Sequence, residues 1–126
     1  MRRRGFTLIE VLIALIILTV VAVSLGRFAG SFLHSVGTST TRTVATAVGQ
    51  EQIEFIRADP TYTTLVATYN NATLTGFTGY PSMTRLTRVT RTTGNNPRRD
   101  YTTVTVTVSE PTMGTPVNLT MVIAAP

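Results

Sequence analysis

Glu10 is the residue with the most chemistry to explain, because it is the only charge in the run FTLIEVLIALIILTVVAVSL, Phe6 to Leu25. An ionisable group inside a membrane segment costs about 2.5–3.5 kcal/mol on insertion scales, so it implies a partner. Other chemistry is scarce. The 126 residues include no cysteine and one histidine, His34, which removes disulfides, thiolate zinc sites and cysteine nucleophiles. A lone histidine also leaves little material for a catalytic triad or a metal centre, and His34 reads as a helix-surface residue. Asp59, Asp100 and Glu110 are isolated in sequence, and no glycine-rich phosphate loop is present. The expectation is a protein that is not an enzyme, with no catalytic residue, metal, cofactor or small-molecule substrate.

All eleven basic residues are arginine, and the formal net charge is +5. Removing Arg2, Arg3 and Arg4 would lower it from +5 to +2, so the basic character depends on the first four residues. In the second half, Arg85, Arg91, Arg98 and Arg99 form the candidate anion-binding set, with Arg88 between the first two. On a strand a spacing of three alternates faces, which aligns Arg85 with Arg91 and not with Arg88. A solvated edge strand is the expected setting. The competing use of these arginines is neutralising the phosphates of a nucleic acid.

These residues need elements to position them. Twenty helical residues from Phe6 to Leu25 rise about 30 Å, the thickness of a bilayer core. Arginines ahead of the segment orient the N-terminus toward the cytoplasm, and everything after Arg27 is then expected outside. Gly26 follows small residues but nothing turn-like, so the processing site is expected in front of the apolar run. Gly5 stands there, between the arginines and the apolar run.

The stretch RRRGFTLIEVLIALIIL resembles the leader of type IV prepilins and type II secretion pseudopilins. The resemblance implies cleavage between Gly5 and Phe6 by the prepilin peptidase, N-methylation of Phe6, and Glu10 as the family's acidic assembly residue. The amine freed on Phe6, or that of an adjacent subunit, is then the partner for Glu10. Further implied partners are other pilins or pseudopilins, the inner-membrane assembly platform and an assembly ATPase acting indirectly. The implied location is the inner membrane, followed by a pilus or pseudopilus. A second stretch, GQEQIEFIRADP, is similar to the end of the long helix in PilV-type minor pilins and I-type minor pseudopilins, which implies a minor subunit.

No proline occurs between Phe6 and Pro60, so one helix is expected from Phe6 to Ala58, with Gly26, Gly30, Gly37 and Gly49 as candidate weak points. Leu33, Gly37, Thr40, Val44, Val48, Glu51 and Phe55 fall near one line at helical period, widened by Ile53 and Ile56, and are expected to face the following domain. Gln50, Glu51 and Glu54 are expected on a solvated flank. After Asp59 the period becomes alternating. YTTVTVTVSE sets Val104, Val106 and Val108 against Thr103, Thr105 and Thr107, and Val117, Leu119, Met121 and Ile123 repeat the pattern beyond PTMGTP. Met83 to Thr92 supplies a third strand, turned by GNNPRRD. The glycosylation sequons at Asn71 and Asn118 are read as chance matches. The expected fold is α+β, lollipop-shaped: a leader at 1–5, a membrane and assembly helix at 6–28, its outer half at 29–59, and an antiparallel β-sheet head at 60–126. The expected function is structural, with DNA uptake or adhesion through the head arginines as the alternative.

Overall fold

A computed structural model describes residues 5–126, so what is expected of Arg2, Arg3 and Arg4 lies outside the described residues. Helix α1 runs Leu8–Arg57 without a break, passing through Gly26, Gly30, Gly37 and Gly49. The chain divides into two compact units, Met1–Gly37 and Thr38–Pro126.

In the first unit every described residue, 5–37, is exposed. An 18-residue window of α1 has a mean hydropathy of 2.9 with none of it buried, so by length and composition the helix can cross a bilayer. Its hydroxyls need no water. Thr19 Oγ1 donates to the Leu15 carbonyl at 2.7 Å and Ser24 Oγ to the Val20 carbonyl at 2.8 Å, so both are satisfied on the helix itself.

In the second unit α1 buries Thr41, Ala45, Gly49, Gln52, Ile53 and Ile56. Ile53 and Ile56 were expected there, but the rest of the stripe is rotated by one position from the expected line. Val44 and Val48 only flank the core, while Leu33, Glu51 and Phe55 are exposed. Close approach is the physical reason. A β-carbon on Gly49 would stand 2.5 Å from Leu119 Cδ1 and 3.5 Å from Val108 Cγ2, so sheet and helix meet where the helix side chains are smallest.

The sheet has four antiparallel strands in the order β1 (Ala72–Phe77), β2 (Tyr80–Asn95), β3 (Arg98–Ser109) and β4 (Val117–Ala124). Alternation decides its buried face: Val104, Val106 and Val108 are fully buried, and the intervening Thr103, Thr105 and Thr107 are half-buried on the other face. Across the ladder Val104 pairs with Met121 and Val106 with Leu119, which carries the apolar face onto β4. Met83 and Val89 extend it onto β2. Between β3 and β4, a 3₁₀ turn at Pro111–Met113 is capped by Glu110, whose carboxylate accepts from the Thr112 amide at 2.8 Å, and Met113 drops into the core.

Three elements differ from expectation. The strand β1, the 3₁₀ turn Tyr62–Thr64 and the short helix α2 (Leu65–Tyr69) were not anticipated. Because β1 pairs Ala72–Phe77 with residues 80–87, β2 is an inner strand there, and only its part from Arg88 onward lies beyond the reach of β1. The edge-strand reading of the arginine segment is corrected accordingly. Along the uncovered part the Val89 amide donates to Asn70 Oδ1 at 3.0 Å, so a side chain stands in for a neighbouring strand. The β2–β3 turn is also tighter than expected, since Asn95 already pairs with Arg98 around Asn96 and Pro97.

Candidate functional site

The residues with candidate chemistry fall in two places, the start of α1 and the sheet of the second unit. At the first, Gly5, Phe6 and Thr7 precede the helix. Thr7 caps the helix: its carbonyl accepts from the Val11 amide at 3.2 Å, and its Oγ1 accepts from the Glu10 amide at 3.3 Å. This is the helix-starting half of a Thr-x-x-Glu capping box, which also favours an acidic group in the first turn. The helix therefore starts at Leu8 and not at Phe6.

The surroundings of this segment are open. A β-carbon on Gly5 would meet nothing within 4 Å, and Phe6 is 83% exposed. Gly5, Phe6, Thr7 and Glu10 border one recess of about 490 Å³. Thr7 was missed in the sequence reading, although the Thr-x-x-Glu spacing signals it.

In the second unit the four candidate arginines are not brought together. Arg85 lies on the helix-facing side, where its guanidinium donates to the Val48 carbonyl at 3.3 Å. Arg91 makes two hydrogen bonds to Asp100, Nε to Oδ1 at 2.9 Å and NH2 to Oδ2 at 2.6 Å, and sits over the Tyr62 ring 5.0 Å from its centroid. Arg98 and Arg99 are exposed at the β2–β3 turn. From Arg85 to the partner of Arg99, Gly94, is nine strand residues, or about 30 Å at 3.3 Å each.

The acidic residues isolated in sequence gain partners here. The hydrogen bonds from Arg91, helped by the Tyr62 hydroxyl at 3.0 Å, hold the Asp100 carboxyl below its usual range. The Thr61 side chain does the same for Asp59, followed by Tyr69, whose hydroxyl donates at 2.7 Å and is itself pushed up by the contact. Both aspartates thus tie the 3₁₀ turn and α2 to their neighbours. His34 is exposed on α1, and among the described residues no three His, Asp or Glu side chains cluster as metal ligands would.

Against known families, residues 1–26 match the model of the prokaryotic N-terminal methylation motif. That motif is the N-terminal signature of type IV prepilin- and pseudopilin-like proteins, so residues 1–26 of this chain are similar to theirs. No curated protein and no solved structure matches the chain.

Proposed function

We propose that this pilin- or pseudopilin-like subunit is cut between Gly5 and Phe6, methylated on the new Phe6 amine, and built into a pilus or secretion pseudopilus through α1. The observation that carries the proposal is the joining of two features. A motif for N-terminal methylation spans residues 1–26, and it opens directly into a helix whose apolar surface is exposed throughout residues 5–37. Apolar surface of that extent needs lipid or other helices around it, and a subunit that leaves a membrane for a filament meets both in turn. Glu10 gives such a helix its register, since its carboxylate can exchange the amine of its own Phe6 for that of a neighbour.

The supporting partners are the prepilin peptidase, other pilins or pseudopilins, and an inner-membrane platform. The subunit crosses the inner membrane once with its N-terminus in the cytoplasm, the domains running 1–5, 6–28, 29–59 and 60–126. The GQEQIEFIRADP ending favours a minor subunit over a major one. Phosphate binding by the head arginines has less behind it, because Arg85 and Arg91 spend donors inside the chain.

Maturation tests the reading at its first step. Gly5→Glu should leave membrane insertion intact and block processing, so that the membrane fraction holds only the full chain by intact-mass measurement. Normal processing of Gly5→Glu, or a wild-type mature chain that begins elsewhere than Phe6, would contradict it.

A further inference from the structure

The two edges of the sheet are finished differently. At one, the β1–β2 ladder shifts register between Thr75 and Phe77, where Gly76 takes a φ of +77°, and Asn70 covers the stretch that β1 does not reach. An irregular edge of this kind resists pairing with another chain. At the other, β4 pairs with β3 in unbroken register and ends the sheet. Residues 111–126 carry no charge, and β4 has no proline. The usual guards of an edge strand are missing from it.

The phase of the β3–β4 ladder decides what this edge offers. The Ala125 amide donates to the Asp100 carbonyl at 3.0 Å, one step beyond the pairing of Tyr101 with Ala124. Antiparallel residues bond alternately toward and away from the partner strand, so Val117, Leu119, Met121 and Ile123 spend their backbone groups on β3. Asn118, Thr120, Val122 and Ala124 turn theirs to the open edge, where no hydrogen bond among the described residues meets them. All four are exposed, and Val122 is 62% exposed although it is aliphatic.

We propose that this edge pairs with β4 of a second copy of the chain, antiparallel about a two-fold axis. Such an axis sets the strand against itself, so a charge within it would be brought up to its like. Without a charge from 111 to 126 the seam is neutral on both sides, whereas a charged foreign strand would find nothing here to pair its charges. Phase and length fix the register. Both copies offer the backbone groups of the same alternate residues, and overlap is greatest with Asn118 opposite Ala124 of the second copy and Thr120 opposite its Val122. That register makes about eight backbone hydrogen bonds and covers the Val122 side chain. One strand pair is a small seam against the roughly 1,200–2,000 Å² of a stable complex, so the pairing gains from copies held in one membrane. It goes beyond the assembly reading and draws on residues 38–126 alone, so the two fail separately.

The chain has no cysteine, so introduced thiols meet only each other between copies. Thr120→Cys and Val122→Cys, carried by two full-length copies of different mass, are co-expressed and oxidised in isolated membranes. In this register the two positions lie about 5.5 Å apart between copies, within reach of a disulfide. Like positions are displaced by a further two residues, about 7 Å along the strand, and lie beyond that reach. The expected product is the mixed dimer, in large excess over either dimer of like with like. Both side chains are exposed, so the thiols leave the core intact. The next pair of the register, Asn118→Cys with Ala124→Cys, should give the same pattern. Adding Val122→Lys to both of its chains sets like charges at the seam and should cut the mixed dimer about tenfold, with the thermal unfolding midpoint unchanged. Equal amounts of the three dimers, no dimer at all, a mixed dimer untouched by Val122→Lys, or a disulfide to a different polypeptide in place of the second copy would overturn the proposal.

Discussion

Thr7 and Glu10 serve two ends with one spacing: the Thr7 hydroxyl accepts from the Glu10 amide and starts the helix, which fixes where the Glu10 carboxylate sits in its first turn. Gly5, Phe6 and Glu10 stand out in the sequence because each is unusual among its immediate neighbours. The roles of Asp59 and Asp100 were not, since Asp100 meets Tyr62 across 38 positions and Asp59 meets Tyr69 across 10. Their carboxyls lie below the usual carboxylate range in the folded chain, Asp100 chiefly through Arg91 and Asp59 chiefly through Thr61. Groups with a lowered folded pKa contribute stability that is complete well above the unfolded value and is lost as pH falls through it toward the folded one. Acid unfolding of the second unit should therefore set in as pH drops through the usual carboxylate range and below it. Asp59→Asn with Asp100→Asn should flatten that dependence when the thermal midpoint is followed against pH. An equally steep acid loss in the double variant would show that other groups govern it.

Among the elements, α1 and the Val-Thr strands were legible because one period runs through each of them without interruption. β3 buries its valines as alternation demands. β1 escaped because its residues through Gly76 are exposed and its one large aliphatic side chain, Leu74, is left half in solvent, so no alternation marks it. The buried face of α1 was displaced for a related reason. A reading that ranks residues by apolar size selects Val44, Val48 and Phe55, whereas contact with the sheet selects Thr41, Ala45 and Gly49, whose small size admits it. Gly49 thus acts through its lack of bulk. Gly49→Ala should be close to neutral, since Leu119 can swing its end methyl aside and alanine favours helix by about 1 kcal/mol. Gly49→Leu has nowhere to go and should destabilise the second unit by about 1–3 kcal/mol in chemical denaturation. Equal stability of the alanine and leucine variants would refute the close-approach account.

At the scale of the whole molecule, the two units have opposite surface chemistry. Residues 5–37 expose an apolar helix, while residues 38–126 enclose a core of valine, isoleucine, leucine and methionine under a threonine-rich surface. A unit with its own core folds by its own contacts, and Glu10 lies outside it. Glu10→Ala should accordingly leave thermal unfolding of the second unit unchanged and ease membrane insertion, since a penalty of about 2.5–3.5 kcal/mol disappears. In the proposed assembly, what it removes is the attraction that seats the helix against a neighbour's amine in a low-dielectric setting. The most direct measurement is cross-linking of wild type and Glu10→Ala to other pilin subunits in cells, scored on chains shown by mass to begin at Phe6. The account predicts that the variant accumulates in the membrane, cleaved and folded, with its cross-links to other subunits lost. Equal incorporation of the two chains would contradict it.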